Sequence, residues 1–289
     1  MTYVELNGHA CYCDTEGSGY PLLYLHGGFG GSTAPGGASA GKPWIDSFRD
    51  RYRVISYDRR WSGRTAGPSS DVSLDTFAED ALAVLDHHEV DRAVVWAVSA
   101  GCPIGLTLAH AHPRRVRALV LSDGAPWFSR DEKLLAGLED RLDLLDQQGP
   151  EAAYEARKAS GSVGLRVFSG DPAARSEAEK EKQERQRLEM KRRLGSLSHA
   201  ERVAGYAGEL RTQKAFMAFD FSDRLHELPV PTLAVFGNRD QVFPDAGWKT
   251  YASAIPNLAA FELEGGTHGC GQSPEAVRQI LAFLDSLAL

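Results

Sequence analysis

The run Val94-Val95-Trp96-Ala97-Val98 constrains this 289-residue chain more than any other stretch. It is apolar throughout and rich in β-branched residues, so it has no polar face to show to water. A strand of that kind lies inside a sheet that is covered on both sides. Directly after Ser99, residues Ile104, Leu106, Leu108 and the alanines around them read as an apolar helix that runs to His112-Pro113. Ser99 therefore stands at a strand-to-helix turn. Ala97 and Gly101 flank it two positions away on each side, a small-x-Ser-x-small spacing that suits a sharp turn with no room for larger side chains. Such a turn lifts the hydroxyl clear of the backbone and aims it at the helix N-terminus. A serine hydroxyl alone is a weak nucleophile, so chemistry at Ser99 requires a base, an acid to orient that base, and donors for a developing oxyanion.

The rest of the chain repeats the strand-then-helix pattern. Thr2 to Leu6 and His9 to Asp14 alternate about Asn7-Gly8, a dipeptide suited to a two-residue hairpin turn. Tyr20 to Leu25 forms the next strand and runs into His26-Gly27-Gly28-Phe29-Gly30-Gly31, where glycines let backbone N–H groups face a ligand without obstruction. Pro43 to Arg49 suggests a short helix. Tyr52 to Tyr57 is a strand that ends in Asp58-Arg59-Arg60-Trp61, and Leu74 to His88 has helical periodicity with Ser73 as its cap. Val116 to Leu121 is another buried strand, ending at Ser122-Asp123-Gly124. Alternation with short connections implies a parallel sheet with helices on both faces.

The pattern changes at Pro126-Trp127-Phe128. From about Arg130 to Phe221 no strand is expected; Leu134, Leu138, Leu142 and Leu145 mark one amphipathic helix, and Arg175 to Arg193 reads as a charge-dense, solvated helix. Tyr206, Leu210, Phe216, Met217, Phe219 and Phe221 close this block with apolar surface suited to packing on the sheet. Strands resume with Pro231 to Phe236, which leads to Gly237-Asn238-Arg239-Asp240, and with Leu258 to Leu263, which leads to Gly265-Gly266-Thr267-His268. Between them Asp245 to Ser253 is a helix candidate. Ser273 caps the last helix, with Pro274 at its first position and Val277, Ile280, Leu281 and Leu284 as its buried stripe.

A formal net charge of -7 leaves no basic excess for phosphates, which argues against nucleic-acid or anionic-membrane partners. No run approaches transmembrane length, and the start Met1-Thr2-Tyr3-Val4-Glu5 lacks the basic-then-apolar pattern of a leader, so a cytoplasmic location is expected. The four cysteines, Cys11, Cys13, Cys102 and Cys270, lack metal-finger spacing and read as thiols, and no metal or cofactor is expected.

Taken together, His26-Gly27-Gly28 after the third strand, Asp58-x-Arg60 after the fourth, the Ser99 turn after the fifth, Gly237-x-x-Asp240 after the seventh and His268 after the eighth resemble the α/β-hydrolase superfamily. The resemblance implies a mostly parallel eight-stranded sheet flanked by helices. It further implies a core of residues 1–126 and 222–289 and an inserted helical lid of residues 127–221. It assigns Ser99 as nucleophile, His268 as base and Asp240 as the acid, with the N–H groups of Gly28 and Ala100 as the oxyanion hole. Asp123 also ends a strand, in the place some branches of the superfamily use for the acid. Trp61 and Thr65 stand where relatives often carry Gly and Ser, and Phe29 replaces the Pro of the proline iminopeptidase loop. Phe29, Trp61, Trp127, Phe128, Phe216 and Phe219 are the candidate substrate-pocket residues.

The expected activity is hydrolysis of a small to medium, mostly apolar carboxylic ester or lactone through an acyl-enzyme. A carbon–carbon bond hydrolase, a lyase, an amidase or peptidase, and a non-catalytic ligand-binding protein are the alternatives on the same residues.

Overall fold

The computed structural model describes residues 2–30, 44–68, 70–129, 132–160, 184, 188, 191–192, 195–240, 242–243 and 246–288, with backbone alone at 246–249. Most of the charged segment expected as a helix from Arg175 to Arg193 lies outside these residues, as does Pro43.

Strands β1 (Thr2–Leu6) and β2 (His9–Glu16) form the opening hairpin. Its two turn residues, Asn7 and Gly8, both have positive φ (46° and 77°), the backbone twist that two-residue hairpin turns require. Then follow β3 (Tyr20–Leu25), β4 (Tyr52–Tyr57), α1 (Leu74–His87), β5 (Ala93–Val98), α2 (Gly101–Ala111) and β6 (Val116–Ser122). Helices α3 (Glu132–Ala159) and α4 (His199–Met217) come between β6 and β7 (Thr232–Gly237). The chain ends with α5 (Ala246–Ala254), β8 (Leu258–Leu263) and α6 (Pro274–Ser286). Around Ile45 only a single 3-10 turn forms, shorter than the helix expected there.

The eight strands make one sheet in the order β1-β2-β4-β3-β5-β6-β7-β8. The first two pairings are antiparallel and the other five parallel. As the apolar run required, β5 is buried at every position. Strand periodicity divides its side chains between two cores. Val95 and Ala97 join Leu23, Leu25, Leu119 and Leu121 on the face covered by α1 and α2. Val94, Trp96 and Val98 join Leu22, Val120 and Val235 on the face covered by α6. Trp96 packs against Trp44, Phe48 and Tyr24, and its indole N–H donates to Ser122 Oγ at 2.9 Å, so this large side chain is buried with its one polar atom satisfied.

Helix starts follow local chemistry. Ser73 accepts from Thr76 N, and Thr76 returns a bond to the Ser73 N–H; Ser198 and Glu201 repeat this capping box at α4. Helix α3 extends well past the Leu134-to-Leu145 pattern but is kinked where Gly149 (φ 86°) precedes Pro150, because Pro150 has no N–H to continue the ladder. The α3–α4 insertion is stitched at its base: Phe128 N donates to Phe219 O (2.9 Å), Phe221 N donates to Pro126 O (2.6 Å), and Trp127 bridges Asp220.

Candidate active site

Ser99 has φ 52°, in the left-handed region, and its N–H is held by Ser122 O at 2.8 Å. The turn closes only because its flanks are small. A side chain on Gly101 would run into the carbonyl oxygen of Leu25, and one on Gly105 would come within 2.9 Å of the Ala97 methyl. Helix α2 thus begins against the end of β3, with Ala100 at its N-cap offering no side-chain cap and no acidic residue in its first turn. Its N-terminal N–H groups and dipole are positioned to favour negative charge beside Ser99.

His268 reaches the serine from the loop after β8. Its Nε2 lies 3.1 Å from Ser99 Oγ and its Nδ1 3.0 Å from Asp240 Oδ2. Asp240, whose side chain is 1% exposed, accepts Val242 N (2.7 Å) and Phe243 N (3.0 Å) on its other oxygen, so both carboxylate oxygens are fixed. The histidine loop lies directly on the end of β7: a side chain on Gly237 would collide with the Gly266 backbone, and Arg239 N donates to Gly266 O at 2.8 Å.

Asp123 lies beside this group. Its oxygens take the Gly271 N–H (3.2 and 3.0 Å) and the Cys270 thiol (3.3 Å), which anchors the loop just beyond His268. Burial, countered by the charge of His268 and reinforced by that of Asp240, pushes the Asp123 carboxyl up to about 6. Of the two acids that sequence reasoning left open, Asp240 is the one bonded to His268. All four cysteines are free thiols, and burial pushes the thiols of Cys102 and Cys270 well above their ordinary range.

Gly28 has φ 78° and begins the turn of the glycine loop. What braces this loop is a residue that sequence reasoning passed over, Arg59, which is 2% exposed. Its Nη2 donates to Gly28 O (2.6 Å) and Gly27 O (3.2 Å). Arg59 Nε and its backbone N both donate to His26 Nε2, which makes that nitrogen the acceptor and leaves the ring proton on Nδ1, 2.7 Å from Gly27 O. His26 thus braces the loop as its sequence position suggested. Arg60, the arginine of the Asp-x-Arg pattern, instead pairs with buried Asp80 at 2.6 and 2.9 Å.

The aromatic candidates divide into three places. Phe29 contacts Phe128 (5.4 Å between centroids) and Phe216 (5.7 Å), both edge to face. Trp61, with φ 55°, lies with its indole against Gly67 on one side and Gly208 of α4 on the other, each too close to allow a Cβ. Trp127 and Phe219 belong to the stitched base of the insertion, where Phe219 stacks on Phe221. Among the described residues the one group with metal-ligand proximity is Glu151, Glu155 and His199, all exposed and remote in sequence from Ser99.

An eight-stranded, mostly parallel sheet with a serine turn after its fifth strand defines the α/β-hydrolase class of fold. Residues 20–269 match the family model for the alpha/beta hydrolase fold, and the chain belongs to that family. It is a hydrolase. A protein of Azorhizobium caulinodans named "Putative carbamate hydrolase RutD" is 30% identical over 97% of both chains. Two solved structures share the fold. The enol-lactonase from Burkholderia xenovorans has 21% identity and a TM-score of 0.71, over 98% of this chain and 99% of that one. The meta-cleavage product hydrolase from Pseudomonas fluorescens has 18% identity and a TM-score of 0.71, over 99% and 98%. No helix among the described residues is long and apolar enough to cross a membrane.

Proposed function

We propose that this hydrolase is a serine esterase or lactonase that works through an acyl-enzyme at Ser99. The observation that carries the reading is the unbroken hydrogen-bonded line from Asp240 through His268 to Ser99 Oγ, ending beside the uncapped start of α2. As Ser99 Oγ bonds to the carbonyl carbon, His268 Nε2 takes its proton and the carbonyl electron pair moves onto oxygen. The N–H groups of Gly28 and Ala100 hold that oxyanion; one such donor is commonly worth about 10² to 10³ in turnover. His268 then protonates the leaving alcohol as its bond to carbon breaks. Water repeats the sequence on the acyl group, passing its proton to His268, and the acid leaves as Ser99 regains its hydrogen. Throughout, Asp240 keeps the imidazole proton on Nδ1 and stabilises the imidazolium.

Phe29, Phe128 and Phe216 offer apolar contact next to the glycine loop, which suits a small to medium apolar substrate under a lid formed by residues 127–221. Support for a cyclic ester comes from the fold neighbour described as an enol-lactonase. A second reading, carbamate hydrolysis through a carbamoyl-enzyme, is favoured by the name of the Azorhizobium relative. The chemistry differs only in the atom attached to the carbonyl.

Intact mass spectrometry after a fluorophosphonate probe, on wild type and Ser99→Ala, tests the nucleophile; turnover of p-nitrophenyl butyrate, a γ-lactone and ethyl carbamate tests the bond. One adduct, lost in Ser99→Ala, with ester or lactone turnover is the expected result. Preference for the carbamate selects the second reading. An adduct with no turnover of any of the three transfers the same nucleophile to amides or carbon–carbon bonds. Absence of an adduct overturns the reading in favour of a ligand-binding protein.

A further inference from the structure

We propose that Arg59 is a positioning residue for the oxyanion site: a fixed, buried cation that holds the Gly27-Gly28-Phe29 backbone in place and strengthens its N–H groups as donors. The proposal rests on the reading of Gly28 as an oxyanion donor.

Its basis is an unusual economy of charge. Arg59 is among the largest fully buried side chains, yet among the described residues no carboxylate pairs with its guanidinium, and Nη1 has no hydrogen-bond partner. The face of Phe77, 5.9 Å from Cζ, offers only weak compensation. Burial pulls the guanidinium down to about 10, which still leaves it charged at neutral pH. A buried charge without a counter-charge is costly in folding. That cost is borne at a residue whose side-chain bonds go to the glycine loop and its brace, His26.

The partners of Nη2 point to what the charge does. The Gly27 carbonyl and the Gly28 N–H belong to one peptide unit, and the Gly28 carbonyl and the Phe29 N–H to the next. A cation bonded to both carbonyl oxygens draws electron density along both units and makes each N–H a stronger donor. It also fixes their direction, because Nη2 bonds to both carbonyls while Nε of the same rigid plane is held on His26. The loop so held packs directly on the nucleophile: a Cβ on Gly27 would stand 3.0 Å from Ser99 Cβ and 3.6 Å from Ser99 Oγ. The oxyanion forming at Ser99 would therefore meet donors already aligned and polarised, with no reorganisation left for the reaction step.

The test is the rate of fluorophosphonate adduct formation at Ser99, followed by intact mass for wild type, Arg59→Gln, Arg59→Lys and Ser99→Ala. The final amplitude reports the competent fraction and the rate constant reports the chemistry. We expect Arg59→Gln to react at least about tenfold more slowly at full amplitude, with a melting temperature equal to or above that of wild type. Arg59→Lys, which keeps the charge but loses the fork, should fall between them. With p-nitrophenyl butyrate the loss should appear in kcat and leave KM unchanged. A wild-type rate in Arg59→Gln overturns the proposal, as does a rate that falls only in step with melting temperature and is not restored by Lys. If the Gln protein does not accumulate folded, a wild-type rate in Arg59→Lys overturns it. Adduct persisting in Ser99→Ala would instead overturn the assignment of the nucleophile. Loss of adduct there, with wild-type rates in the Arg59 variants, would remove this inference alone.

Discussion

Replacing Asp123 by Asn is expected to stabilise the protein at pH 8 and to lose that advantage as the solution is acidified. Asp123 is 1% exposed, and burial together with neighbouring Asp240 outweighs the attraction of His268, so its carboxyl titrates at about 6 rather than 3.8. Between those two values the folded chain retains a proton that the unfolded chain has released. Stability therefore falls as pH rises through this window and stays lower above it. At 1.36 kcal/mol per pH unit, the separation of about 2 pH units sets a ceiling of ~3 kcal/mol on the cost of the charge. Some of this is returned through the Cys270 thiol contact, which the amide would weaken, whereas the Asn oxygen can still accept the Gly271 N–H. A net gain of about 2 kcal/mol corresponds to ~3 °C in melting temperature for a chain of this size. Calorimetry of both proteins from pH 8 to pH 4.5 should show the gap shrink by most of that amount. An Asn variant that melts no higher than wild type at pH 8, with a gap that does not change with pH, would refute the electrostatic reasoning.

Asp240→Asn should lower kcat by about 10³ to 10⁴ with little change in melting temperature, because the amide presents the wrong partner to Nδ1; Asp123→Asn should retain most activity in the same p-nitrophenyl butyrate assay. Gly101→Val forces a side chain into the Leu25 carbonyl and should destabilise the fold by ~3 kcal/mol or more in urea unfolding, with loss of labelling at Ser99. Arg60→Met strips buried Asp80 of its counter-charge and should cost about 3 to 5 kcal/mol by denaturant titration, far more than loss of the half-exposed Arg51–Asp285 pair.

The central strands could be read from the chain because burial on both faces leaves a continuous apolar signature, and β5 carries it most plainly. That Ser99, Asp240 and His268 would come together was also legible, since each lies just past the C-terminal end of a parallel strand, where such a sheet gathers its loops. Sheet order was not legible: β4 pairs with both β2 and β3 through a crossover that no local pattern encodes. The roles of Arg59 and Arg60 were also hidden. Once the strand has ended, side-chain direction no longer alternates, and two adjacent arginines differ only in whether they meet a glycine loop or an aspartate twenty positions away. Nor did periodicity show that α3 continues beyond its kink at Gly149-Pro150, because its second half has only Ala153 fully buried.

The indole of Trp61 has a consequence for traffic to and from Ser99. Wedged between Gly67 and Gly208, it rivets the middle of α4 to the core at a point where neither neighbour can take even a methyl group. Prising α4 away would wet roughly half of a side chain that buries about 200 Å², at a cost of ~2 to 3 kcal/mol. At any instant on the order of one molecule in a hundred could have that seam open. A seam of that cost stays closed nearly all the time, which makes α4 a fixed wall rather than a moving door.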